Sequence, residues 1–435
     1  MCIRDRVKDG HPVKNTATQV TNDKRDKTNT VTNPLKEINP KKDVTVKVGG
    51  TGIGGKSVYL NHTFLYRLDS SILPPDRAYQ TVTDWGGTDQ LNTEYDQYLG
   101  NWAVYASRDL YRDGQMLAAK GAQIAGSGFD SSKFGGNLFT VDADDNGKVT
   151  ADATQAYLDL VSADNEHEAG WVLYLQCKRI AVADEVPNTW TETINGQPRE
   201  SNKVVTKTPD MTPSIHLEKV DTPTLKQEGQ EQADRDDPKQ ALKMDADSIG
   251  ITFIITNTSK TDPATGDGAW YKASDLNLDD STIVGDAHVD MDSLTYPADW
   301  DTLVLKPGES VSVTGTLKGV KEGETHTDRA IVTGTPLVEC APSNGDPFND
   351  KTDGGEDTDP EYSTGDVTEI DGKQLCADTQ TTSNTDDWNG YRAKPLASTG
   401  TAVLGLAGGA LAVLLAGGSL LVFRKRHYAQ GSGRH

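Results

Sequence analysis

Lys41-Lys42-Asp43-Val44-Thr45-Val46 carries the alternation of a strand with one buried face. Side chains of a half-buried strand alternate between two faces, so Val44 and Val46 mark a core face that Lys42 shares and Lys41 does not. Similar short runs bounded by turn residues recur along the chain: NHTFLYRL (61–68), YLQCKRIAV (174–182), SIHLEKVD (214–221), GITFIITNTS (250–259), LVLKPGESVSVTGTL (303–317) and THTDRAIVTG (325–334). Long helical patterns are scarce, and TQAYLDLVS (154–162) is the one short helix expected. The predicted fold class is all-β, with tandem immunoglobulin-like β-sandwiches followed by a flexible spacer and one C-terminal transmembrane helix.

The transmembrane expectation comes from the C-terminus. Thr401 to Phe423 carries no charge, which is long enough to cross a hydrocarbon core of about 30 Å as a helix. Arg424, Lys425 and Arg426 follow, and basic flanks stay in the cytoplasm, which puts residues 1 to 400 outside. Just before the span stands Leu396-Ala397-Ser398-Thr399-Gly400. It resembles the LAxTG cell-wall sorting signal read by class E sortases of actinobacteria. The resemblance implies cleavage after Thr399 by a sortase, covalent transfer of the Thr399 carboxyl to peptidoglycan, and membrane residence only before sorting.

Composition excludes some function classes. Sixty-five acidic residues against forty-three basic give a net charge of −22, which repels a phosphate backbone and argues against a nucleic-acid partner. Hydrophobic residues make up 35 % of the chain, below the about 45–50 % of ordinary domains, so thin cores are expected. No HExxH or GxSxG motif groups residues for catalysis, and the fragment reads as no enzyme. No signal-like apolar run occupies residues 1 to 30, so the protein is expected to extend upstream; Met1 to Arg6 resembles translated adaptor sequence.

A short repeat, small-Asn-x-Val followed by Pro, marks module ends at residues 28–34 and 201–209, because proline does not continue an internal strand. The chain then divides into a remnant of a preceding sandwich (1–35), a complete sandwich (36–209), a second sandwich (210–340), an acidic spacer (341–395) poor in apolar side chains, and the sorting signal with its span and basic tail (396–426).

KEINPKKDV (36–44), NHTFLYRL (61–68), YLQCKRIAV (174–182), NTWTETING (188–196) and SNKVV (201–205) resemble, in that order, the C-terminal adherence domains of the antigen I/II family of surface adhesins. The resemblance implies a sandwich closed by a Lys-to-Asn isopeptide bond with an assisting Asp. Strand parity puts Asn202 with Val204, Asn29 with Val31, and Asp84 with Val82. Burial drives a lysine and a carboxylic acid together towards neutrality. Lys42 is therefore the expected nucleophile, Asn202 the acceptor that loses ammonia, and Asp84 the acid that donates to its carbonyl and shuttles a proton.

The segment Ser107 to Glu168 is long for that family and reads as an insertion. Its aromatic residues Tyr111, Phe129 and Phe134, with Tyr105 beside it, pack under a glycine-rich loop or stack on sugars, packing being the favoured role. Within it, Asp142 to Gly147 is weighed as a structural calcium loop, but FTVDADDNGKVTAD reads better as a hairpin; no cofactor or metal is expected. Cys177 reads as a buried, inert thiol. The second sandwich resembles the conserved-repeat domains of bacterial surface proteins, and a Lys219–Asp328 cross-link is weighed there without an evident acid partner. Cys340 and Cys376, in an exported chain, are expected to form a disulfide. Two functions follow: a wall-anchored adhesin stalk, with host glycoproteins as further partners, or the stalk of a surface enzyme whose catalytic domain lies upstream.

Overall fold

The computed structural model describes residues 13–33, 39–77, 80–222, 235–341, 348 and 367–395. Nearly all regular structure is strand, and Gln155–Ala163 is the one α-helix among the described residues. Val13–Thr21 and Lys24–Asn33 form an antiparallel hairpin with Asn22 and Asp23 at positive φ in its turn.

The first sandwich stacks two five-stranded antiparallel sheets. One runs Phe139–Ala143, Lys148–Ala153, Trp85–Gln90, Trp190–Ile194, Gln197–Glu200; the other Lys41–Thr45, Thr63–Asp69, Trp171–Arg179, Asp96–Ala106, Gln123–Gly126. Both contribute to one core, and the expectation of a thin core fails here. Trp171 lies 6.2 Å from Trp85, 5.7 Å from Trp190 and 5.3 Å from Phe139, ring centre to ring centre. Average composition hid this because apolar residues are concentrated in this module while the hairpin and other segments dilute them. Gly87 makes room for the packing: a Cβ there would sit 2.6 Å from the Trp190 ring.

The segment 107–168 is part of the sandwich, not an appendage to it. Phe139–Ala143 and Lys148–Ala153 extend the Trp85–Gln90 sheet, joined by the hairpin expected at Asp144 to Gly147, where Asp144 Oδ1 accepts from the amides of Asn146 and Lys148. The helix supplies Tyr157, Leu158 and Val161 to the core. Of the four aromatics named above, Phe134 and Tyr105 are buried, Phe129 packs on Phe134, and Tyr111 stacks on His167 at 3.8 Å.

The second sandwich packs Ile215–Asp221, Ser248–Asn257, Ser310–Lys318 and His288–Val289 against Leu242–Met244, Asp386–Arg392, Thr325–Gly334 and Asn277–Val284. Its boundary differs from the expected one. Residues 367–392 are not spacer: Asp386–Arg392 pairs along Thr325–Gly334, Lys373–Ala377 pairs with Leu337–Glu339, and Trp388 is fully buried. The misreading arose because this closing strand, DDWNGYR, carries its burial on Trp388 and on small or polar residues, which composition scores as spacer. Cys340 and Cys376 are disulfide-bonded with Cα atoms 4.9 Å apart.

Polar contacts join the two sandwiches: Ser57 Oγ donates to Asp262 Oδ2 at 2.9 Å and Tyr59 OH to Asp267 Oδ2 at 3.2 Å. Lys373 pairs with the same Asp267. No described helix is long and apolar enough to cross a membrane; the expected span, the sorting pentapeptide Leu396 to Gly400 and the basic tail lie outside the described residues.

Candidate functional site

Lys42 lies in the first strand of the first sandwich with its side chain fully enclosed. Strand parity holds through Val44 but not to Val46, because the strand ends at Thr45 and Val46 is exposed. The ammonium pairs with Asp89, itself dry, and stands 4.4 Å above the Tyr66 ring. Burial pushes the Lys42 amine below its ordinary range, against the opposing attraction of Asp89. A second buried pair adjoins it: Arg179 Nε is 2.9 Å from Asp96 Oδ1, and Tyr66 OH donates to Asp96 Oδ2 at 2.7 Å. Arg179 also donates to the hydroxyls of Thr206 and Thr208, tying this network to the module's last strand. Burial raises the Asp96 carboxyl and the Cys177 thiol, which is free and wholly enclosed.

Neither of the two expected partners of the Lys42 ammonium meets it. Asp84 does not reach Lys42; its Oδ1 accepts from Gly196 N–H at 3.0 Å in a turn. The strand begins at Trp85, after which parity selects Trp85, Gly87 and Asp89, so counting from Val82 crossed an irregular segment, and the carboxylate that meets Lys42 is Asp89. Asn202 lies just before the strand Val204–Thr208 and turns its amide to the main chain of Lys42, accepting from the amide N–H and donating to the carbonyl, each at 2.9 Å. It behaves as one rung of a β-ladder rather than as a core group.

Asn188 was missed. It ends the strand Ala183–Asn188, is buried, and neither its Oδ1 nor its Nδ2 has a hydrogen-bond partner among the described residues. Two residues on, Trp190 pairs directly with Asp89 across the sheet and donates its indole N–H to the Lys41 carbonyl at 2.9 Å. Asp89 Oδ1 is likewise without a hydrogen-bond partner. A buried carboxamide with both ends unmet costs a domain a few kcal/mol. Spacing along the chain gave no signal for it, because Asn188 ends one strand and Trp190 begins another in a different sheet.

The clamp made by Asn202 recurs. Asn384 accepts from Leu217 N–H and donates to Leu217 O, each at 2.9 Å, on the first strand of the second sandwich. The serine before each asparagine accepts a main-chain N–H from another strand, Ser201 from Trp190 and Ser383 from Val332. Ser383-Asn384 is thus a further copy of the module-end repeat, hidden because Asp386 stands where the repeat has Val.

A two-sheet module with a dry lysine on its first strand paired to a carboxylate of the facing sheet is what the fold and site define. Residues 39–209 match the family described as cell surface antigen C-terminus, and this segment belongs to it as an antigen I/II-type C-terminal domain. Aggregation substance of Enterococcus faecalis is 36 % identical over 201 residues, which are 46 % of this chain and 14 % of that protein. The C-terminal domain of the Streptococcus pyogenes antigen I/II-family protein AspA is 27 % identical, covering 46 % of this chain and 56 % of that one, with a TM-score of 0.39. The Streptococcus agalactiae BspA C-terminal domain is 23 % identical over 46 % of this chain and 59 % of its own, also at 0.39. The chain therefore spans a small part of the curated relative and under two thirds of these solved chains.

Proposed function

We propose that this chain is the wall-proximal part of a cell-surface adhesin that transmits tension, and that its first sandwich is locked by an amide between Lys42 and Asn188. The observation that carries the lock is the enclosed pair of Lys42 on the first strand and Asp89 on the facing sheet, with the unsatisfied Asn188 carboxamide two residues before Trp190, the sheet partner of Asp89. The neutral Lys42 amine attacks the Asn188 carboxamide carbon, the C–NH2 bond breaks, ammonia leaves, and Asp89 passes the proton from nucleophile to leaving group. A first strand bonded covalently to a late one lets tension bypass the hydrogen-bonded ladders between them. The polar joint through Asp267 stiffens the passage to the second sandwich.

Cell-surface residence follows from the family of residues 39–209. Covalent attachment to peptidoglycan by a sortase, in an actinobacterial cell, rests on Leu396 to Gly400 and the apolar and basic residues after them. Host glycoproteins are the proposed ligands, met by loops at the sandwich ends, where a rigid scaffold presents them. Beads coated with the purified chain should adhere to immobilised mucin; bare-bead levels would remove that part of the reading.

The lock is tested by intact mass and peptide mapping of the purified chain. A Lys42–Asn188 cross-linked peptide, one ammonia lighter than its two parts, is expected, and Asn188→Ala should abolish it. A cross-link to Asn202, or free Lys42 in folded protein, overturns the assignment.

A further inference from the structure

The second sandwich holds another enclosed lysine, outside the matched family segment. Lys219 lies in the first strand of that sandwich with no side-chain exposure, and two carboxylates from the opposite sheet close on its ammonium. Asp280 of Asn277–Val284 makes the shorter contact. Asp328 of Thr325–Gly334 places Oδ1 2.7 Å from Nζ, yet outside hydrogen-bond geometry, so that neither Asp328 oxygen is satisfied among the described residues. Both acids are enclosed, at 1 % and 0 % side-chain exposure. The pairing of the two strands explains the meeting: Asp280 is opposite Ala330, one same-face position from Asp328.

The surroundings hold the three groups rigidly. The Lys219 main-chain N–H donates to Asp386 on the closing strand, and the Asn384 clamp fixes Leu217 two residues earlier. Phe253 lies under the ammonium at 5.5 Å, and His326 Nε2 stands 3.3 Å from Asp328 Oδ2. The carboxylates differ in character. Burial pushes Asp280 up to about 6 against the pull of Lys219, whereas His326 and Lys219 outweigh burial at Asp328 and hold it below the ordinary range. One acid of the pair keeps a proton more readily than the other, which is the asymmetry a donor and an acceptor need.

We propose that the second sandwich is closed by an amide between Lys219 Nζ and the side-chain carboxyl carbon of Asp328, with Asp280 as the proton relay. The amine of Lys219 attacks the Asp328 carboxyl carbon and a C–N bond forms. Asp280 first takes a proton from the Lys219 ammonium, which frees the amine, and gives it to a carboxyl oxygen of Asp328; it then takes a second proton from the nitrogen of the adduct and gives it to the departing oxygen, so it ends unchanged. The C–O bond breaks and one water leaves, formed from a carboxylate oxygen and two of the ammonium's protons. The balance needs no oxidant and no activating co-reactant. Enclosure from bulk water disfavours the reverse hydrolysis. This bond joins the first strand of the sandwich to Thr325–Gly334, so each module would carry its own lock, one made with loss of ammonia and the other with loss of water.

The experiment is intact mass and tryptic mapping of the full purified chain, folded state checked by near-UV circular dichroism. A peptide is expected that contains both Lys219, uncleaved by trypsin, and Asp328, and is one water lighter than the two separate segments. Asp280→Asn should retain the fold and abolish the cross-link. Asp328→Asn should either remain open or close with loss of ammonia, and in neither case lose water. Complete cleavage at Lys219 in folded wild type overturns the proposal. So does a water-deficient link to Asp280, or persistence of the water loss in Asp328→Asn. Because the Lys42 bond is read in a different peptide with a different mass deficit, failure of either lock is scored independently of the other.

Discussion

Reducing the Cys340–Cys376 disulfide should loosen the second sandwich without touching the first. The bond closes a loop of 36 residues between Leu337–Glu339 and Lys373–Ala377. Beyond it the chain runs directly into Asp386–Arg392, the strand that completes the sheet against Thr325–Gly334. Cutting the tether means that the unfolded chain must close this loop anew before its final strand can dock. In the loop-entropy treatment, which is model-dependent, a loop of this size is worth about 4 kcal/mol at 25 °C. With urea dependences of about 1–3 kcal/mol per molar, the midpoint of the second sandwich should fall by roughly 1–4 M. The assay is urea titration of oxidised protein, of protein with dithiothreitol, and of the Cys340→Ala/Cys376→Ala variant, followed by hydrogen–deuterium exchange of peptides from Thr325–Gly334 and Asp386–Arg392, which report the second sandwich alone. Coincident curves for all three would refute the reasoning, since they would show that docking of the closing strand does not depend on the tether. The Lys42–Asn188 peptide should be present in every sample, because an amide survives reductant.

Other outcomes follow from the same structure. Asn384→Ala removes both hydrogen bonds to the Leu217 main chain and should cost about 1–3 kcal/mol by thermal or urea unfolding, with a similar loss for Asn202→Ala at Lys42. Gly87→Ala drives a methyl group into the Trp190 ring and should destabilise the first sandwich by about 1–3 kcal/mol, measured as a lowered midpoint. Asp386 is pushed up to about 8 by burial first and by Asp236 next. Its folded form holds a proton that the unfolded chain releases, so its contribution is complete below the ordinary carboxylate range and is lost as pH rises through about 8. Asp386→Asn should flatten the decline in melting temperature between pH 5 and pH 9, and an unchanged slope would contradict the assignment. Thr399→Ala should leave the protein in the detergent-extractable membrane fraction, while wild type is released only by muralytic digestion.

Strand-forming runs and their turns were legible from residue order, because period-two alternation and turn chemistry are local properties. The core placement of Lys42 and Val44, the hairpin at Asp144 to Gly147 and the helix at Gln155–Ala163 all follow from neighbours a few positions away. Arg179 was passed over, although it shares a face with Trp171, Leu173, Leu175 and Cys177 along its strand. What tertiary structure alone decided is which distant groups meet. Parity places a side chain on a face but fails when the count crosses irregular chain, as at Asp84, or begins beyond a strand's end, as at Asn202 and Val46. Asp89 and Lys42, like Lys219 with Asp280 and Asp328, are brought together by sheet stacking, a contact between strands that no spacing along one strand encodes. The closing strand of the second sandwich escaped notice for a related reason. Its polar residues are buried by pairing and by one tryptophan, so only the completed sheet makes Asp386–Arg392 recognisable as part of the core.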